Sequence, residues 1–139
     1  MSSPYQTRRR IEFRDTDAAG IMHFSAFFTY MEQAEHEMLR SVGLSVMQPD
    51  GETTIGWPRV SATCDYKGAV RFEDIIDISV AVVHLGSKSV RYRHEFRIAD
   101  RVVAVGEIVA VCCRIDDRHQ LASIEIPAPI RERLTRHAV

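Results

Sequence analysis

One helix-period segment followed by a long run of strand-period segments restricts this chain to few architectures. From Ser25 onward, Phe27, Phe28, Met31, Ala34, Met38, Leu39 and Val42 recur every three or four residues. Glu32, Gln33, Glu35, His36, Glu37 and Arg40 fill most positions between them. The spacing predicts an amphipathic helix with one buried side, N-capped by Ser25, with Arg40 at its negative end and Gly43 just beyond it. Val60 to Tyr66, Ile75 to His84, Ser89 to Ile98 and Val102 to Ile115 are rich in β-branched and aromatic residues. In the third of these, Val90, Tyr92, His94, Phe96 and Ile98 alternate with Ser89, Arg91, Arg93, Glu95 and Arg97, as a half-buried strand requires. With a first strand over Gln6 to Phe13, the expectation is an α+β fold in which a five-stranded antiparallel sheet wraps one long central helix.

The breaks between segments fit this reading. Gly86-Ser87 and Ala99-Asp100-Arg101 are hairpin turns, Pro49 to Gly56 reads as an irregular connection, and Ile130 to Arg136 as a carboxyl-terminal tail or helical turn. A single helix covers only one face of a sheet, so the other face or an open edge would gain from a second subunit. A symmetric dimer is expected.

At 139 residues the chain suits one domain spanning residues 1–139. Its composition, 45% hydrophobic and 27% charged, is that of a soluble globular protein, and no apolar run reaches the ~20 residues of a membrane span. The amino terminus lacks the apolar stretch of a secretory signal, which leads to the expectation of a cytoplasmic protein without membrane partners. A net charge of −1 gives no electrostatic reason to expect nucleic acid. Cys64, Cys112 and Cys113 lack metal or redox spacing and read as reduced thiols, the adjacent pair on opposite faces of one strand. No metal or cofactor is expected. Phosphate-binding glycine loops and a Gly-x-Ser-x-Gly nucleophile turn are absent from the sequence.

Chemistry concentrates between the first strand and the helix. The loop Asp15-Thr16-Asp17-Ala18-Ala19-Gly20-Ile21-Met22-His23-Phe24 delivers Asp17 close to a helix amino terminus. There, unpaired N–H groups and partial positive charge can stabilise a developing oxyanion while a carboxylate attacks or deprotonates. That pairing points to acyl transfer, although aspartates are equally at home as turn and capping residues.

Phe13-Arg14-Asp15-Thr16-Asp17-Ala18-Ala19-Gly20-Ile21-Met22 resembles the hotdog-fold acyl-CoA thioesterases of the 4-hydroxybenzoyl-CoA thioesterase type. So does the helix ending Glu35-His36-Glu37-Met38-Leu39-Arg40-Ser41-Val42-Gly43-Leu44, and Phe72-Glu73-Asp74-Ile75-Ile76 and Lys88-Ser89 add weaker support. The resemblance covers nearly the whole chain. It implies the hotdog fold and an acyl-CoA substrate. Asp17 falls on the family's catalytic carboxylate, as nucleophile or general base, and the backbone N–H of Phe24 on the donor that polarises the thioester carbonyl. Asp15 is left a structural role. A related branch carries histidine at the position of Phe24, and this chain departs from it. His23, one residue earlier, is expected in the pocket wall or as a donor to substrate. Ser87, Lys88 and Ser89 fall where the family holds the nucleotide end of coenzyme A, with Arg59 and Arg91 further along the rim. The resemblance also implies a homodimer or homotetramer with its site at a subunit interface. Two other readings share the fold: a non-catalytic acyl-CoA binding module, and a dehydratase or hydratase of acyl thioesters.

Overall fold

The computed structural model describes residues 2–139. Its elements are the strands β1 (Tyr5–Arg10), β2 (Gln48–Asp50), β3 (Thr53–Gly56), β4 (Arg59–Tyr66), β5 (Ile75–Leu85), β6 (Ser89–Ile98), β7 (Arg101–Val111), β8 (Cys113–Ile115) and β9 (Leu121–Ser123), with helices α1 (Ala26–Ser41) and α2 (Ala128–Leu134). Five strands form an antiparallel sheet in the order β1-β5-β6-β7-β4, the architecture expected from the strand-period segments. Alternation decides which face is buried: Ile76, Ile78 and Val80 on β5 and Val90, Tyr92, His94 and Phe96 on β6 are buried. Against that face lie Phe27, Tyr30, Met31, Ala34, Met38 and Leu39 of α1, so helix and sheet share one apolar core.

The structure corrects four local expectations. Pro49 to Gly56 is not irregular: β2 and β3 form a hairpin turning at Gly51, whose φ is +63°, and join β8 and β9 in a second sheet of order β2-β3-β8-β9. Thr53, Thr54 and Ile55 favour extended backbone, and β8 offers them a pairing edge. The first strand stops at Arg10, because Phe13–Asp15 tighten into a 3₁₀ turn closed by an Asp15 Oδ2 bond to the Glu12 N–H at 3.2 Å. The last long strand breaks at Cys112, where the main chain bonds to Lys88 and Ile124 instead of continuing one ladder. Cys112 and Cys113 are both buried, and Cys112 joins the main apolar core. Ser25 precedes α1 without capping it through its side chain, its hydroxyl meeting His23 Nδ1 at 2.8 Å.

Near the carboxyl terminus, α2 seats Ile130 and Leu134 in the core, and Arg131 donates to the carbonyls of Gly86 (2.7 Å) and Ser87 (3.1 Å). Among the described residues, no helix is long and apolar enough to cross a membrane.

Candidate active site

Local hydrogen bonding shapes the acidic loop before any tertiary contact is needed. Asp17 N–H bonds to Ile21 O, Gly20 N–H to Asp17 O, and Thr16 bridges Met22, so residues 16–22 form a tight turn. Gly20 sits at φ +78°, a region glycine enters without a Cβ penalty. Within the turn, Asp17 Oδ1 accepts the Ala19 N–H at 2.8 Å, an Asx-type bond. No hydrogen bond to Oδ2 is formed among the described residues. The carboxylate is thereby oriented with one oxygen held and the other free.

Two clamps fix the turn to the body. Met22 N–H bonds to Val70 O, and Asp15 Oδ2 accepts the Tyr30 hydroxyl at 2.5 Å. Burial, reinforced by the Asp15 carboxylate, pushes the Tyr30 hydroxyl far up, so it stays a donor. Asp15 thus has the structural position expected of it.

Asp17 lines a cavity of about 250 Å³ together with Ile21, Met22, Phe24, Phe27, Tyr66, Gly68, Ala69 and Val70. Most of this wall is apolar. Phe24 lies in the turn just before α1, 63% exposed, its ring stacked on His23. Its carbonyl accepts the Tyr66 hydroxyl at 2.7 Å. Its N–H finds no acceptor among the described residues, the condition for a donor aimed at a ligand oxygen. Tyr66 also packs edge-on to Phe27, tying the end of β4 to the start of α1.

His23 stands beside Phe24, its ring stacked on that residue's ring. It lies outside the cavity wall, and its Nδ1 accepts the Ser25 N–H at 3.2 Å, which makes it a cap for the approach to α1. Ser87, Lys88 and Ser89 do form the β5–β6 hairpin, but far from Asp17. On β7, Ser89 is level with Val111 and Tyr66 with Ala104, a separation of roughly 23 Å at ~3.3 Å per residue. Within one chain the structure does not bring the hairpin to the cavity. Burial pushes the thiols of Cys64 and Cys112 up to about 11, leaving them protonated and poor nucleophiles at neutral pH. The Tyr66 bond and the Val70 wall were invisible to sequence reasoning, because both depend on where β4 and the segment after it return to the loop.

Comparison with known proteins places this geometry in context. A family model described as the thioesterase-like superfamily matches residues 11–134. A protein of Aquifex aeolicus (strain VF5), provisionally named an esterase, is 36% identical over 84 residues, which are 59% of this chain and 63% of that relative's length. A 1,4-dihydroxy-2-naphthoyl-CoA hydrolase of Prochlorococcus marinus (strain MIT 9303) is 27% identical over 122 residues, covering 83% of this chain and 81% of the relative. Among solved structures, a gentisyl-coenzyme A thioesterase superposes with a TM-score of 0.78 at 30% identity, covering 94% of this chain and 99% of that one. The dynemicin thioesterase shares the fold at TM-score 0.87 and 18% identity, with 99% of both chains covered. With a family match running from the end of β1 to the end of α2, the chain belongs to the thioesterase-like superfamily.

Proposed function

We propose that this protein hydrolyses an acyl-CoA thioester to the free acid and coenzyme A, with Asp17 as the reacting carboxylate and the Phe24 N–H as the donor to the carbonyl oxygen. One observation carries the reading: the carboxylate with a free oxygen and the residue with an unpartnered N–H line the same apolar-walled cavity. Relatives named as CoA hydrolases and thioesterases support the substrate class.

Two routes fit these groups. In one, Asp17 Oδ2 attacks the carbonyl carbon, the oxyanion is held by the Phe24 N–H, and the C–S bond breaks to release the CoA thiolate, which takes a proton. Water then cleaves the mixed anhydride. In the other, Asp17 takes a proton from water as its oxygen attacks, and the same tetrahedral species expels the thiolate. A single oxyanion donor is worth on the order of 3 kcal/mol of barrier, so the turn before α1 matters in both.

The expected second subunit belongs to this proposal. β4 is an edge strand, and Val60 on it is 64% exposed. Antiparallel pairing of β4 with its copy would set Arg59 of one protomer level with Tyr66 of the other. The partner's Ser87, Lys88 and Ser89 would then lie level with this chain's Asp17, within reach of the long nucleotide arm of coenzyme A. In this reading His23 supports the donor turn rather than touching substrate.

Incubation with aromatic, short, medium and long acyl-CoA thioesters, with thiol detected, tests the activity. Release of thiol and acid in equal amounts is expected. Tight binding without release would favour a non-catalytic acyl-CoA module, and hydration of an enoyl-CoA would favour the hydratase reading.

A further inference from the structure

Beyond the Asp17 cavity, the seam between α1 and β4 continues. A second cavity of about 150 Å³ is lined by Phe28, Glu32, Glu35, Arg59, Ala62 and Ile108. Phe28 follows Phe27 of the first cavity in the opening turn of α1, and Ala62 is four residues from Tyr66 on the same side of β4. The two cavities follow one another along this seam, leading away from the Phe24 amide.

The far end of the seam is polar for a structural reason. In a regular strand Arg59 and Ala62, three residues apart, would face opposite sides. The pairing with β7 shifts here, however: Arg59 is opposite Ala110 and Ser61 opposite Val109, so Val60 is the extra residue of a bulge. The bulge turns Arg59 onto the helix side, where Nη2 donates to Glu35 Oε2 at 2.9 Å. Glu35 is 1% exposed, and Arg59 Nη1 is buried without an acceptor. A covered guanidinium N–H with nothing to donate to is costly, and it adjoins a cavity.

We infer that this second cavity receives the far end of the acyl group and that Arg59 and Glu35 recognise a hydroxyl there; the inference rests on the Asp17 cavity being the thioester site. A hydroxyl can accept from the guanidinium and donate to the carboxylate at once, matching a neutral ion pair. A terminal carboxylate would instead face both Glu35 and Glu32, and a methyl terminus would leave Nη1 unpaired. Length sets the rest of the class. Glu35 lies nine residues beyond Ala26, the first residue of α1, about 14 Å along the helix axis, and its side chain leans back toward the amino terminus. An extended chain of roughly ten carbons spans about 12 Å. The fitting substrate is therefore an extended acyl group with a hydroxyl near its tenth carbon.

Binding to the full-length Asp17→Asn variant, measured by calorimetry, tests this without turnover. The probes are hexanoyl-CoA, decanoyl-CoA, 10-hydroxydecanoyl-CoA and the CoA monothioester of decanedioic acid. The hydroxylated chain should bind about tenfold tighter than decanoyl-CoA, and adding Arg59→Met should erase that preference. Ala62→Leu fills the cavity while sparing the ion pair, and should weaken decanoyl-CoA several-fold relative to hexanoyl-CoA even if the arginine variant does not fold. Equal affinity for the two ten-carbon chains, tighter binding of the dioic thioester, or an unchanged length preference in Ala62→Leu would overturn the inference. Thioester hydrolysis by the parent without a hydroxyl preference removes only this inference. A hydroxyl preference without hydrolysis removes only the hydrolase reading.

Discussion

Asp17 and His94 are two polar residues handled in opposite ways. Asp17 stands in a turn that satisfies one carboxylate oxygen and leaves the other at a cavity. His94 is fully buried on β6, opposite Gly106 and facing α1, with neither ring nitrogen in a hydrogen bond of ordinary geometry. Burial pushes its pKa down to about 4, and the Met31 backbone nearby offsets only part of that. The unfolded chain titrates this histidine near its ordinary 6.5. Between those values the unfolded state binds more protons, so stability is complete above pH ~6.5 and falls as pH drops toward ~4. The gap is worth about 3 kcal/mol at ~1.4 kcal/mol per pH unit. Urea midpoints between pH 7 and pH 4 should fall for the parent, and His94→Leu should flatten that fall. Parallel curves would contradict this role.

Packing of α1 onto the sheet turns on a notch that no periodicity announces. A Cβ on Gly106 would lie 2.0 Å from the terminal methyl of Met31, which is itself fully buried, and 3.2 Å from the Thr63 carbonyl. Gly106→Ala should destabilise the fold by about 1–3 kcal/mol, read from denaturant unfolding, because the buried end of Met31 must change rotamer to make way. An unchanged midpoint would show that the helix slides freely. The sequence made α1 and the strands β4 to β7 legible because each carries its own period, as in the alternation from Ser89 to Ile98. It hid β2 and β3, three and four residues long, because such short strands exist only by pairing with β8. The same limit applied at the site. Asp17 was readable from one contiguous loop and Phe24 from the family resemblance, whereas Tyr66, Val70 and the bulge at Val60 depend on strand register.

At the scale of the whole molecule, the open edge of β4 is the main unsolved surface of an isolated chain. In the proposed dimer a second copy pairs along that edge and brings its Lys88 hairpin level with Asp17. Paired Val60→Asp and Thr63→Asp substitutions place like charges on both sides of the proposed seam. Sedimentation should show the parent as a dimer or tetramer and the variant shifted toward monomer, with a matching loss of thioesterase activity. A monomeric parent that is fully active would remove the composite site. If the edge does pair, the cavity, the hairpin and the donor turn form one continuous track for a thioester and its nucleotide arm.

The most direct measurement is kcat for thiol release by Asp17→Asn, beside acyl-CoA affinity in the same variant. The substitution keeps the shape of the side chain while removing its charge. The account predicts a loss of several orders of magnitude in kcat with affinity retained. A variant that still releases thiol within about tenfold of the parent would contradict it, because the carboxylate of residue 17 would then have no part in the reaction.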